Sequence, residues 1–125
     1  MSMTEQQVSG AGESSVVHLT EQTFDEALAV ANGVLMVDFW APWCRPCVAL
    51  APVLEEMAQA SQGAVTLAKV NVDEEPLLAA RHEIRSIPTV LFVKDGKVAD
   101  QVVGAVPRAQ IAAKLAALVG TGAAR

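Results

Sequence analysis

Residues 34–58, VLMVDFWAPWCRPCVALAPVLEEMA, constrain the fold of this chain more than any other stretch, because an apolar run of strand length passes directly into Trp-Cys-x-x-Cys and then into helical periodicity. From Val34 to Trp40 the residues are β-branched, aromatic and aliphatic without polar alternation, the pattern of a strand buried on both faces of a parallel or mixed sheet. Asp38 interrupts the run, and a charge placed there needs a reason. Beyond Trp43, the spacing Cys47, Leu50 or Ala51, Leu54, Met57 or Ala58 keeps apolar groups on one face of a helix that begins near Cys44. Cys47 therefore faces inward, one turn into the helix. Cys44 sits at the opening turn, where unpaired backbone N–H groups and the positive end of the helix dipole favour a thiolate. The pattern makes Cys44 the exposed nucleophile and Cys47 its buried partner.

At 125 residues, with no second composition regime, the chain reads as one domain of roughly 100 ordered residues, large enough to bury a core without disulfide staples. Its 2 cysteines form a redox couple or half a metal site. A tetrahedral zinc needs two further ligands, and His18 and His82 lack ligand spacing, so neither a metal nor another cofactor is expected. A net charge of −5 argues against a phosphate-backbone partner, so no nucleic acid is expected either. No stretch approaches the about 20 apolar residues of a membrane span, and the N-terminus lacks a basic region followed by an apolar one. The expectation is a cytoplasmic protein with no membrane association.

Taken in order, residues 1–15 (MSMTEQQVSGAGESS) are polar and without periodicity, the composition of a flexible tail. Val16 to Leu19 is a short strand, and Thr23-Phe-Asp-Glu26 has capping-box spacing before a helix with Phe24, Leu28 and Ala31 on its apolar face, stopped by Asn32-Gly33. Pro52 is expected to kink the central helix without ending it, because the periodicity continues to Met57; Gln62-Gly63 is the stop. Val65 to Val72 is a third strand, and Asp73 is expected to cap a short helix through Pro76 to about His82. Thr89 to Lys94 and Lys97 to Val103 flank Asp95-Gly96, a two-residue hairpin turn. Pro107 opens a last helix with Ile111, Leu115, Leu118 and Val119 on one face, and Gly120 is expected to end it before a loose tail, 120–125. This β-α-β-α-β-α-β-β-α order gives parallel crossover units followed by a hairpin, hence an α/β fold with a mixed sheet covered on both faces.

Asp38-Phe-Trp-Ala-Pro-Trp-Cys-Arg-Pro-Cys47, Pro52, Lys69 before Asn71-Val-Asp73, Ile87-Pro88-Thr89, Asp95-Gly96 and Val103-Gly104-Ala105 together resemble the thioredoxin family, over about residues 16–119. A lone Cys-x-x-Cys is a weak signal; its coincidence with the upstream Asp, the helix proline and the later Ile-Pro-Thr is a strong one. The resemblance implies a thioredoxin fold, a central five-stranded mixed β-sheet flanked by four α-helices, with Pro88 cis beside the cysteines. It also implies a monomeric protein-disulfide reductase, a Cys44–Cys47 disulfide in its oxidised state, protein substrates carrying disulfides, and electrons from an NADPH-dependent thioredoxin reductase in the service of cell redox homeostasis. Two positions depart from the pattern: Arg45 stands where the family usually has Gly, and Val48 where Lys is common.

Exchange chemistry assigns Cys44 as attacking thiolate and Cys47 as resolving thiol, against the alternative of two inert buried cysteines. Asp38, desolvated in an apolar strand, suits proton exchange with Cys47 near neutral pH; the plainer reading is a carboxylate paired with Lys69, and both can hold. Trp43, Ile87, Val103, Gly104 and Ala105 with Pro88 suggest a flat apolar rim for an extended substrate segment, although any one could be ordinary surface. Arg45, Pro46 and Pro88 are the expected redox-tuning positions, Trp40 a packing residue beneath the site, and His82 and Arg85 solvated surface residues. Pro46 in place of His argues against a thiol-disulfide oxidase or isomerase, for which Arg45 argues weakly. A thioredoxin-fold subunit that only binds a partner is disfavoured by the presence of both cysteines.

Overall fold

The computed structural model describes residues 16–123. The expected N-terminal tail, 1–15, lies outside the described residues, as do the last two residues of the expected C-terminal one. The elements are β1 (Val17–His18), α1 (Phe24–Val30), β2 (Val34–Trp40), α2 (Arg45–Ala60), β3 (Val65–Asn71), α3 (Pro76–Arg81), β4 (Thr89–Lys94), β5 (Lys97–Val103) and α4 (Arg108–Ala123). The strands form one sheet in the order β1-β3-β2-β4-β5, with β1, β3 and β2 parallel and β4 and β5 antiparallel additions. The chain therefore has the expected thioredoxin fold, a five-stranded mixed sheet with four helices.

The unalternating run of β2 follows from its central place, since burial on both faces leaves no outward position for a polar side chain. Its even-numbered residues Val34 and Met36 join Leu50, Leu54 and Met57 of α2 and Ile111 and Leu115 of α4 in one core. The odd-numbered Leu35, Val37 and Phe39 join Phe24 of α1 and Leu78 of α3 in the other. Full burial of a side chain such as Phe39 contributes about 1.5–3 kcal/mol. The helix α2 continues through Pro52, as its periodicity required. At the hairpin between β4 and β5, Asp95 and Gly96 have φ of 55° and 80°, which matches the sense of twist of the strands they join.

Four local expectations change in the tertiary structure. Thr23 precedes α1 without making a capping bond; its hydroxyl accepts the Thr20 N–H at 2.9 Å instead, because the preceding turn folds back on it. Asp73 is not a helix cap, since α3 begins at Pro76 after Glu75, and the carboxylate of Glu75 accepts the Glu21 N–H at 3.0 Å. The helix α4 runs through Gly120 to Ala123; Gly120 does not take the left-handed conformation with which a glycine ends a helix. His82 is not a solvated residue: its ring centroid lies 4.8 Å from that of Phe24 and 6.0 Å from that of Phe39, and its buried Nε2 has no hydrogen-bond partner among the described residues.

Burial lowers the pKa of His82 below its ordinary 6.5, and Arg81 lowers it further, while Asp25, ion-paired with Arg81 at 2.6 Å, acts in the opposite sense. The native state then holds fewer protons on this ring than the unfolded chain, so its contribution to stability is full above the unfolded pKa and is lost as pH falls. We expect His82→Phe, which keeps the ring packing, to gain stability relative to the unsubstituted protein as pH falls from about 7.5 to about 5. Parallel urea midpoints for the two proteins across that range would show that the ring titrates normally.

Candidate active site

The end of β2 and the start of α2 place the two cysteines. Cys44 is the residue before the first helical turn, and its Sγ accepts the Cys47 N–H at 3.2 Å, so the sulfur itself satisfies one of the helix's free donors. The two sulfurs are joined as a disulfide, with Cα atoms 5.2 Å apart. Cys47 is 1% exposed and Cys44 only 5%, so Cys44 is the more accessible sulfur but not an openly exposed one. Val72, Ile87 and Trp40 pack against the cysteines and Ala41, which explains the difference from the sequence expectation. The Ile87 carbonyl oxygen is 3.9 Å from Cys44 Sγ, the Ile87–Pro88 peptide bond is cis, and Pro88 accepts the Gly104 N–H at 2.7 Å. Two stretches far apart in sequence, 87–88 and 104, are thus brought into register beside the disulfide.

Trp43, Ile87, Val103 and Ala105 of the expected rim line three cavities. Trp43 and Ile87, with Val72, Pro76, Ile84 and Arg85, line a cavity of ≈ 600 Å³ on one side. Val103 lines a second, of ≈ 220 Å³, with Arg85 and Gln101. Ala105 and Pro46 meet across a third, of ≈ 180 Å³, between α2 and the loop before α4. Trp43 is 66% exposed, yet its indole N–H donates to both Asp73 carboxylate oxygens, at 3.0 and 3.3 Å, which sets the ring's orientation. Asp73 and Arg85 are site neighbours that sequence reasoning missed. The signal for Arg85 was its place three residues before Pro88; nothing local announced the partner of Trp43. Arg45 is exposed on the first turn of α2.

Asp38 lies in the middle of the sheet, across from Lys69 on β3 and Val90 on β4. It is completely buried, and neither carboxylate oxygen has a hydrogen-bond partner among the described residues. Burial pushes its pKa up to about 7 against the opposing attraction of Lys69. The direct ion pair of the plainer reading, with Lys69, is not formed; the ammonium sits 4.4 Å from the centroid of the Trp40 ring instead. Among the described residues no group of His, Cys, Asp and Glu could hold a metal ion, and no helix is long and apolar enough to cross a membrane.

A carboxylate whose folded pKa is raised from 3.8 to about 7 binds its proton more tightly in the native state, so stability falls as pH rises between those values and stays low above them. The shift corresponds to about 4 kcal/mol. Asp38→Asn is therefore expected to be several kcal/mol more stable than the unsubstituted protein at about pH 8, and the gain should vanish near pH 4. Equal urea midpoints at the higher pH would show that the carboxylate is not buried as a charge.

Comparison with known proteins agrees with this geometry. The family model for thioredoxin matches residues 15–117. Over 101 residues the chain is 50% identical to thioredoxin 2 of Chlorobaculum tepidum, covering 81% of this chain and 93% of that protein. It is 46% identical over 101 residues to the thioredoxin of Chlorobaculum thiosulfatiphilum, and 43% identical over 102 residues to thioredoxin 1 of Nostoc sp., covering 81% and 82% of this chain and 94% and 95% of those proteins. A matched domain over most of the chain, relatives at this identity and a disulfide-forming Cys-x-x-Cys pair at a helix start lead to one conclusion: the chain belongs to the thioredoxin family and is a thioredoxin-type protein-disulfide reductase.

Proposed function

We propose that the protein is a general reductant of protein disulfides in the cytoplasm, acting as a monomer that draws electrons from an NADPH-dependent thioredoxin reductase and so serves cell redox homeostasis. In this reading the Cys44 thiolate attacks one sulfur of a substrate disulfide; that S–S bond breaks, the other substrate sulfur leaves as a thiolate and takes up a proton, and a mixed disulfide remains on Cys44. Cys47 then gives its proton to the Asp38 carboxylate and attacks Cys44 Sγ. The Cys44–substrate S–S bond breaks, the second substrate sulfur leaves as a thiolate and takes up the proton that Asp38 gives back, the Cys44–Cys47 disulfide forms, and two electrons have passed to the substrate. The reductase returns two electrons and the cycle closes.

The observation that carries the assignment of roles is the asymmetry of the two sulfurs. Cys44 Sγ accepts a backbone N–H at the opening turn and keeps a little exposure, with its neighbour Trp43 lining a cavity, whereas Cys47 is sealed one turn deeper. An N–H donor and the helix dipole both stabilise negative charge on the first sulfur. Raising the pKa of Asp38 to about 7 supports its use as an acceptor and donor of a proton near neutral pH. The Trp43–Ile87 and Pro46–Ala105 cavities, with the one that Val103 lines, offer apolar contacts for a substrate segment.

Cys47→Ser should accumulate a mixed disulfide with a protein substrate and Cys44→Ser none; equal trapping by both on non-reducing gels would reverse the roles. Insulin reduction at the expense of NADPH in the presence of a thioredoxin reductase should be catalytic, and an NADPH signal no greater than that of the reductase alone would remove the proposed electron donor.

Arg45 adds a solvent-exposed guanidinium to the helix start, where it attracts the Cys44 thiolate and so favours the reduced form. Screening limits the effect to roughly a fewfold. Arg45→Gly should slow alkylation of Cys44 at low salt near neutral pH and move the glutathione redox equilibrium toward the disulfide. If neither quantity moves, Arg45 serves partner choice alone.

A further inference from the structure

The polar groups beneath the disulfide include three that ordinary pairing would satisfy and that this fold leaves apart. Both Asp38 oxygens and Trp40 Nε1 are buried without hydrogen-bond partners among the described residues. Lys69 is directly across from Asp38 in the β2–β3 register, and its side chain is itself buried. The shortest route to neutralising the carboxylate would be an ion pair across the two strands, yet the ammonium lies over the Trp40 ring, 4.4 Å from its centroid. Trp40 is two residues beyond Asp38 on the same strand, hence on the same face of the sheet and next to Lys69.

We propose that Trp40 is a positioning residue for the exchange reaction: its indole face holds the Lys69 ammonium away from Asp38, so that the cation acts on the carboxylate through space without closing an ion pair. A desolvated ammonium is attracted to the negative face of an indole more strongly than to any other aromatic ring. The charged and titratable groups on this face are few. Across the strands β3 supplies Lys69 and β4 only the uncharged Val90, while the buried residues of α2 are apolar apart from Cys47. Lys69 is the charge that acts on Asp38 from the elements packed against it.

Without the ring, the ammonium has the bare carboxylate as its nearest opposite charge, and closing that pair would keep Asp38 ionised and make it a poorer acceptor for a proton. The consequence for the resolving step rests on the proton-acceptor reading of Asp38; the positioning does not. NMR of the reduced, full-length protein reads the positioning directly. The Lys69 Hε protons should resonate upfield of those of a solvated lysine, and Trp40→Leu should abolish that shift. In the same variant the Asp38 carboxyl titration midpoint should fall by about one unit, as expected when an opposite charge moves into contact, and Trp40→Phe, which keeps a weaker aromatic face, should lower it less. In a Lys69→Met background, Trp40→Leu should leave the midpoint in place. Lys69 resonances at solvated positions in the unsubstituted protein would overturn the proposal, as would an equal fall of the midpoint in both backgrounds, which would assign the effect of Trp40 to solvation. If Trp40→Leu does not fold, the Lys69 shift and the Trp40→Phe titration decide. An unslowed resolving step in Asp38→Asn would instead remove the proton-acceptor reading and leave these shifts as they are.

Discussion

The strand β2 bonds to β3 on one side and β4 on the other, and every feature of the site depends on that double pairing. It satisfies both edges of the strand and puts it at the centre of the sheet, where helices cover its two apolar faces and form a core layer on each side. It also gives the strand's end a fixed place. Trp40 to Cys44 leave the sheet at its centre, so Cys44 stands just before the first turn of α2 and Cys47 is buried within that turn.

Burial of this kind has a cost where the strand carries polar groups. A carboxylate without a hydrogen-bond partner in the middle of a sheet destabilises the native state at neutral pH. The opposing contributions are unequal. Desolvation dominates and raises the Asp38 pKa, while the attraction of Lys69 reduces the rise without cancelling it. The large apolar cores on either face supply the stability that tolerates the unpaired charge. At the helix start the polar groups are satisfied instead, since the backbone N–H of Cys47 donates to Cys44 Sγ.

Where sequence reasoning and structure part, a non-local partner is the cause. Asp73 has the residue type of a helix cap, but it lies two residues before the cap position, and its carboxylate accepts the Trp43 indole N–H, 30 residues earlier. His82 looks like a surface residue at the end of a short helix until Phe24 and Phe39 close over it from α1 and β2. Cys44 looks open until Val72 and Ile87 pack on it. Each of these contacts joins residues whose proximity arises from strand order.

By itself the sequence determined the elements, their order and the central cysteine pair, because hydrophobic periodicity, glycine and proline placement and the Cys-x-x-Cys spacing are local consequences of backbone geometry. Helix polarity told the two sulfurs apart before any tertiary contact was known. The tertiary structure decided which distant side chains meet. Pairing of β2 with β3 sets Asp38 across from Lys69, and the neighbouring indole takes the ammonium that the register alone would have given to the carboxylate. The physical reason is that hydrogen-bond and charge partners are chosen by proximity in space, and in a sheet ordered β1-β3-β2-β4-β5 that proximity depends on how the strands assemble and on where each side chain then finds room.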